Sequence, residues 1–486
     1  MATDTQEFIR SMEFKHEDED DEELVEPVSP TGQYFNSSVL SVCVLCILES
    51  DIPIDDSPTM TLLRDVFLPI NTRFSSIMVT DENGEKQWKK VDVNLKNHVN
   101  IPNFPNGLSP KSYDKYFNDY ISKVALQSLP QNQPLWEIHI IKYPTSNSAG
   151  NVIFKLHHAL GDGFSLMGAL LSCLQRLDNP SLPLTFPSLQ VLPAKPETIS
   201  RSAKMRVGCK SFIGSVFNTV VDFGWSLLKS SVVEDVKSSI RSGDDGVEFK
   251  AITVSTMTFS LDRIKEIKAK LGVTINDVIT GIIFYGIRLY MLEVNDKSSN
   301  AQSTALVLLN TRIIGGYKSV KEMVKPNAES PWGNQFGFLH VSVPELTKNS
   351  VSNPIEFVEK AQIIIKRKRS SLAVSLTGRL LETLRKLRGP EVTAKYIHST
   401  LKNSSMTISN VIGPVEQMAL ADHPVKGLYF MVVGVPQSLT ITMVSYTGQL
   451  RVAVGTEKGF IDPQKFKSCI ENSFEKIYNE TISKTN

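Results

Sequence analysis

The sequence predicts an α/β protein built as two halves. Three observations carry this. Runs rich in β-branched and aromatic residues alternate with segments of helical spacing on both sides of the chain's middle. A proline-dense stretch separates the two sides. The chain also has 486 residues, more than one ordinary core accommodates.

Glu17 to Glu23 is an unbroken acidic run, so residues 1–25 read as a solvated, disordered tail. The first half, 26–178, opens near Glu26-Pro27-Val28-Ser29-Pro30. Within it Leu135 to Tyr143 and Asn151 to Leu156 read as strands. Phe164 to Leu177 reads as a helix, because Leu166, Met167, Leu170, Leu171 and Leu174 recur at helical spacing. Asp178 to Ser200 carries Pro180, Pro183, Pro187, Pro193 and Pro196, the composition of an extended crossover. Residues 179–245 therefore form a connecting region and 246–486 a C-terminal lobe. In that lobe Thr274 to Leu292 and Asp462 to Tyr478 read as helices, and Ala305 to Leu309 and Phe338 to Val343 as strands.

Composition removes several function classes. With 52 basic and 51 acidic side chains the chain lacks the cationic excess of a nucleic-acid binder. Five scattered cysteines imply neither a disulfide framework nor a zinc site, and point to a reducing compartment. The N-terminus shows no secretory pattern.

Within the connecting region, Arg206 to Ser230 is amphipathic when placed on a helix. Ser211, Ser215, Asn218 and Asp222 form a polar stripe, opposite Phe212, Val216, Val220, Phe223 and Leu227. Arg201, Lys204, Arg206 and Lys210 precede it and Lys229 closes it, as in a helix lying in a membrane interface. A core helix of the soluble fold is the other reading. A membrane span is disfavoured, because the longest uncharged run is Ser211 to Val221 and Asp222 would sit in hydrocarbon. Lys366 to Arg369 is the dense basic region, a candidate grip for phosphates or an anionic membrane and by default a solvated helix surface.

The chemistry concentrates at His157-His158-Ala159-Leu160-Gly161-Asp162-Gly163, where a strand gives way to a helix. Adjacent side chains on extended backbone point to opposite sides, so one histidine faces a substrate and the other is structural. Gly161 and Gly163 can adopt angles that let the turn close, Asp162 can brace it or meet a cation, and His158 faces open space. A lone imidazole of near-neutral pKa suffices as a general base. A metal site would need further ligands, and a covalent serine would need a Gly-x-Ser-x-Gly elbow that Gly214-Ser215 does not supply.

The run His157-His158-x-x-x-Asp162-Gly163 resembles the active-site motif of the chloramphenicol-acetyltransferase-like superfamily. More closely, the chain resembles the plant wax ester synthase/diacylglycerol acyltransferases. An ordered set of segments carries the likeness over roughly residues 26–480. They are Pro27-Val28-Ser29-Pro30, Pro134-Leu135-Trp136-Glu137, Asn276-Asp277-Val278, Asn310-Thr311-Arg312, Trp332-Gly333-Asn334-Gln335-Phe336-Gly337 and Ser409-Asn410-Val411-x-Gly413-Pro414. Asp222-Phe223-Gly224-Trp225 imitates a motif of the plant BAHD acyltransferases, but it lies too close to His158 and lacks the final glycine.

The resemblance implies two chloramphenicol-acetyltransferase-like lobes with the active site in a tunnel between them. It implies His158 as the base that takes a proton from an alcohol attacking an acyl-CoA thioester, with no acyl-enzyme. Asp162 becomes a structural support paired with Arg312, and Gly163 part of the turn. Asn276 lies near the acyl channel or caps its helix, and His157 supports. Trp136 and Trp332 read as packing residues. The expected partners are acyl-CoA, a fatty alcohol or diacylglycerol, and a membrane surface, with no nucleic acid. No metal or bound organic cofactor is implied. The expected location is the cytosolic face of the endoplasmic reticulum, with the plasma membrane as alternative. A BAHD-like transferase acting on soluble acceptors and a non-catalytic lipid-binding protein are the rival readings.

Overall fold

A computed structural model of the chain describes residues 25–82, 85–185, 217–312 and 320–483, apart from 295–296, 298, 326–327 and 329–330. The acidic run, most of the proline-rich crossover and the first part of the amphipathic segment lie outside the described residues.

Two large mixed sheets organise two lobes. The first sheet has seven strands, in the order Val99–Asn100, Trp136–Ile141, Gly150–His157, Cys43–Ser50, His423–Val433, Met418–Leu420 and Gln175–Arg176. All eight residues of Cys43–Ser50 and of Gly150–His157 are buried. These are strands covered on both faces, which is why they read as apolar runs and not as clean alternations. The second sheet has six, in the order Phe336–Ser342, Thr304–Asn310, Met406–Ile412, Leu439–Tyr446, Gln449–Glu457 and Ile252–Ser260. Its core helix is Ile275–Glu293, started by a capping box between Thr274 and Asp277. This helix is long and apolar enough to cross a membrane, yet 78% of its apolar window is buried inside the protein.

Two expectations need correction. The C-terminal lobe is not all of 246–486. After Ile412 the chain leaves the second sheet, adds Met418–Leu420 and His423–Val433 to the first, and returns at Leu439. The helix expected to reach Leu177 is Gly163–Ser172, and Gln175–Arg176 pair instead with Met418 and Ala419 of that returning segment. Both differences come from pairings between residues far apart in sequence, which local periodicity does not encode.

The lobes meet along His423–Val433. There Arg451 donates to Glu49 at 2.7 Å, and elsewhere between the lobes Lys458 reaches Asp119 at 3.0 Å.

Candidate active site

The strand Gly150–His157 delivers the histidine pair to the edge of the first lobe. Its all-buried course ends at His157, the N–H of Leu160 bonds back to the His157 carbonyl at 3.0 Å, and Asp162 caps the next helix by accepting from the Ser165 N–H at 3.0 Å. From the second lobe, Thr304–Asn310 and Phe336–Ser342 pair so that Asn310 lies opposite Phe336. Residues just beyond these strand ends, Arg312 and Asn334, therefore face the turn together.

The two histidines have separate environments. His157 is fully buried, accepts the Ala159 N–H on Nδ1 at 3.1 Å, and holds Ser41 Oγ through Nε2 at 3.2 Å. Burial, with His158 and the Lys155 and Lys86 cations adding to it, pushes its pKa down to about 3. It is a neutral structural group. His158 is gripped at two points by one amide. Asn334 Nδ2 donates to the His158 carbonyl at 2.9 Å, and this leaves Asn334 Oδ1 facing His158 Nδ1, also at 2.9 Å. An oxygen there requires a proton on Nδ1, so Nε2 is the basic nitrogen of the ring. Burial lowers the pKa of His158, while the Asp162 charge and the Asn334 bond pull it upward.

His158 does not face open space as the sequence reading expects. It is 6% exposed, with the Phe35 ring 4.8 Å away and the Phe336 ring 5.4 Å away, centroid to centroid. The second lobe closes over the turn and supplies one of these walls.

Asp162 points away into a knot of second-lobe groups. Arg312 reaches its two carboxylate oxygens at 2.6 and 3.1 Å, and the Gln335 N–H donates at 2.8 Å. Arg312 also donates to Ser165 Oγ and to the Gly333 carbonyl, at 3.1 and 2.7 Å. Both side chains of the ion pair are essentially buried. The glycines work differently from expectation. Neither Gly161 nor Gly163 has a positive φ; the residue here that does is Gly333, at 120°. Their surroundings are tight: a Cβ on Gly161 would lie 3.0 Å from Ser165 Cβ, and one on Gly163 would lie 3.3 Å from Val411.

Asn276 is not the helix cap, because Thr274 and Asp277 fill that role. Its Oδ1 accepts from Asn410 at 2.7 Å, so two of the recognised segments meet, one residue from the Val411 that touches Gly163. Among the described residues no hydrogen bond joins Asn276 to His158. Trp136 donates to the Phe74 carbonyl and Trp332 to the Leu160 carbonyl, each at 2.8 Å, as buried packing residues. Within the basic run, Arg367 and Lys368 are committed to Asp222, at 3.0 and 2.6 Å. Among the described residues no group of three or more His, Cys, Asp or Glu could hold a metal ion.

Sequence reasoning missed Asn334, Phe35 and Phe336 as parts of the site. Asn334 and Phe336 lay inside a quoted segment, but an amide's role as an imidazole clamp depends on a partner 176 residues away.

Residues 73–279 match the wax ester synthase/diacylglycerol acyltransferase catalytic domain, and residues 332–478 match the C-terminal domain of the same family. Among relatives, the chain is 27% identical to wax ester synthase/diacylglycerol acyltransferase 4 of Arabidopsis thaliana, covering 94% of this chain and 91% of the relative. It is 28% identical to number 3 of the same series, with 92% of each covered. In fold it is similar to the wax ester synthase/diacylglycerol acyltransferase from Marinobacter aquaeolei VT8, with TM-score 0.57, 15% identity, and 94% and 99% of the two chains covered. A starter condensation domain of rhizomide synthetase RzmA, solved in complex with C8-CoA and Leu-SNAC, aligns with TM-score 0.51 and 10% identity over 94% of each chain. These neighbours share the two-lobed chloramphenicol-acetyltransferase-like fold. The two domain matches span the histidine turn and the segment that clamps it, and with them the chain belongs to the wax ester synthase/diacylglycerol acyltransferase family.

Proposed function

We propose that the chain is an acyl-CoA-dependent O-acyltransferase that moves a long-chain fatty acyl group onto a fatty alcohol, onto diacylglycerol, or onto both. The observation that carries this is the clamp on His158, which leaves Nε2 free of a proton in a site shielded by aromatic rings. The acceptor hydroxyl gives its proton to Nε2 as its oxygen bonds to the thioester carbonyl carbon. The carbon–sulfur bond then breaks, and the proton passes from Nε2 to the leaving thiolate. Ester and free CoA result, with no acyl-enzyme. General-base assistance of this kind is worth roughly 10²–10⁴-fold. Asp162 and Arg312 hold the turn and do not touch substrate. Acyl-CoA and the lipid acceptor meet in a tunnel between the lobes. The enzyme works at the cytosolic face of the endoplasmic reticulum, where both substrates are available.

The test is acyl-CoA consumption by purified protein with hexadecanol, a diacylglycerol or a phenolic alcohol as acceptor. Wax ester or triacylglycerol is the expected product. Turnover confined to the phenol would favour the BAHD-like alternative, and no transfer to any acceptor would leave a lipid-binding protein.

A further inference from the structure

In the 217–231 helix the polar face is the buried one, the reverse of a soluble amphipathic helix. Thr219, Asp222, Ser226, Lys229 and Ser230 are all buried. Thr219 Oγ1 accepts the Leu372 N–H at 3.0 Å, Asp222 takes Arg367 and Lys368, Lys229 meets Asp235 at 2.5 Å, and Ser230 meets Thr400 at 2.7 Å. The opposite face is apolar and open. Phe217 is 68% exposed and Val220 66%, with Val221 and Leu228 also exposed. Phe217, Val221 and Leu228 follow helical spacing along one stripe. Leu372, whose N–H is held by Thr219, is 64% exposed, and Val232, just past the helix end, is 74% exposed. This stripe is rotated from the face the sequence suggests: Val220 lies on it, Phe223 and Leu227 are half-buried, and Phe212 and Val216 lie outside the described residues.

We infer that this stripe is a membrane-docking surface, and that the helix lies flat in the headgroup region of an anionic bilayer while its polar face stays bonded to the second lobe. The inference deepens the membrane part of the proposed function and rests on it. Charge identifies the occupant. Lys366, Arg367 and Arg369 are exposed on the last turn of Glu356–Arg369, the helix end that Asp222 holds. In the sequence, Arg201, Lys204, Arg206 and Lys210 precede the stripe. An apolar stripe flanked by cations fits lipid tails beside anionic headgroups. A span is opposed by the same contacts. It would pull Asp222 and Lys229 from their partners into hydrocarbon.

The experiment is flotation of the full-length protein with vesicles of phosphatidylcholine mixed with phosphatidylserine, and with phosphatidylcholine alone. Wild type should float with the mixed vesicles, less with the neutral ones, and less at high salt. A triple variant, Phe217→Ser, Val221→Ser and Leu228→Ser, should bind at least about a hundredfold more weakly, since one apolar side chain withdrawn from lipid is worth about tenfold or more. Its melting temperature and its turnover of detergent-dispersed substrates should be unchanged. Undiminished flotation of the triple variant overturns the inference. So does wild-type protein that resists high-pH carbonate extraction as a span would. A vesicle-free dimer that the triple variant converts to monomer would assign the stripe to a second copy of the chain. Vesicle binding is read without turnover, so normal flotation with no ester synthesis in detergent would sink the enzymatic reading alone.

Discussion

Two aspartates pin two segments of the chain to the second lobe, and they do so differently. Asp162 anchors the histidine turn. Its carboxylate accepts from Arg312, Gln335 and Ser165, and the Arg312 side chain is fully buried. Asp222 anchors the 217–231 helix. Its Oδ1 takes both cations, its Oδ2 has no partner among the described residues, and the side chain of Arg367 is 46% exposed. A buried, fully satisfied ion pair fixes one geometry, because every alternative leaves a charge stranded. At Asp222 only Arg367 is half in water and can re-solvate if the pair opens, while Lys368, 11% exposed, stays held. The first suits a site where an imidazole nitrogen must be aimed; the second would suit the membrane-docking role inferred for the helix.

The largest expected effect separates chemistry from anchoring. His158→Ala should lower kcat by roughly 10²–10⁴-fold in a protein that still folds, with a loss of melting temperature from the vacated ring and the orphaned Asn334 oxygen. His157→Ala should act chiefly on stability. The same two readouts on both variants check this, and retained turnover in His158→Ala would end the base assignment. The folded pKa of His157, about 3, lies below the ordinary imidazole value. An unfolded chain therefore binds its proton first, so the stability His157 contributes is present above about pH 6.5 and is lost as pH falls from there toward 3. The His157→Ala variant should show a shallower acid loss than wild type in pH-dependent melting.

The next effect tests the turn's anchor. Asp162→Asn should cost about 3–5 kcal/mol by denaturant unfolding, together with activity, because Arg312 is left unpaired in the interior. Combining it with Arg312→Met should cost less than the sum of the single changes. Simple additivity would show that the pair does not act as a unit.

The smallest effect tests the helix's anchor. Asp222→Asn should cost about 1–3 kcal/mol, less than Asp162→Asn, because Arg367 can turn to water while Lys368, 11% exposed, loses its carboxylate. Turnover of detergent-dispersed substrates should stay at the wild-type level. A loss as large as that of Asp162→Asn would erase the contrast between the two anchors.

The parts legible in the sequence were those with a local signal. Gly150–His157 and Ile275–Glu293 announced themselves through continuous apolar runs and helical spacing, and the residue types around His158 announced a base. What stayed hidden depends on distant partners. Nothing near His423–Val433 says that it completes the first sheet, because its neighbour there is Cys43–Ser50. Nothing near Asp222 says that its face turns inward, because Arg367 and Lys368 decide that. Asn334 is likewise an ordinary amide until His158 lies beside it. The ordered segments pointed to the family, and the fold explains part of their spread: Arg312, Asn334 and Val411 reach the histidine turn from the second lobe.

The central claim is that Asn334 holds His158 with Nδ1 protonated and Nε2 bare. Nitrogen NMR of protein labelled with ¹⁵N-histidine, titrated with pH and assigned by subtracting the His158→Ala spectrum, reads this directly. The expected result at neutral pH is a protonated Nδ1 and a bare Nε2 on His158. The second proton should bind only below about pH 6.5, the ordinary imidazole value, because burial lowers the pKa. In Asn334→Leu the tautomer preference should vanish. A His158 that carries its proton on Nε2 at neutral pH, or that keeps its tautomer without Asn334, would contradict the account.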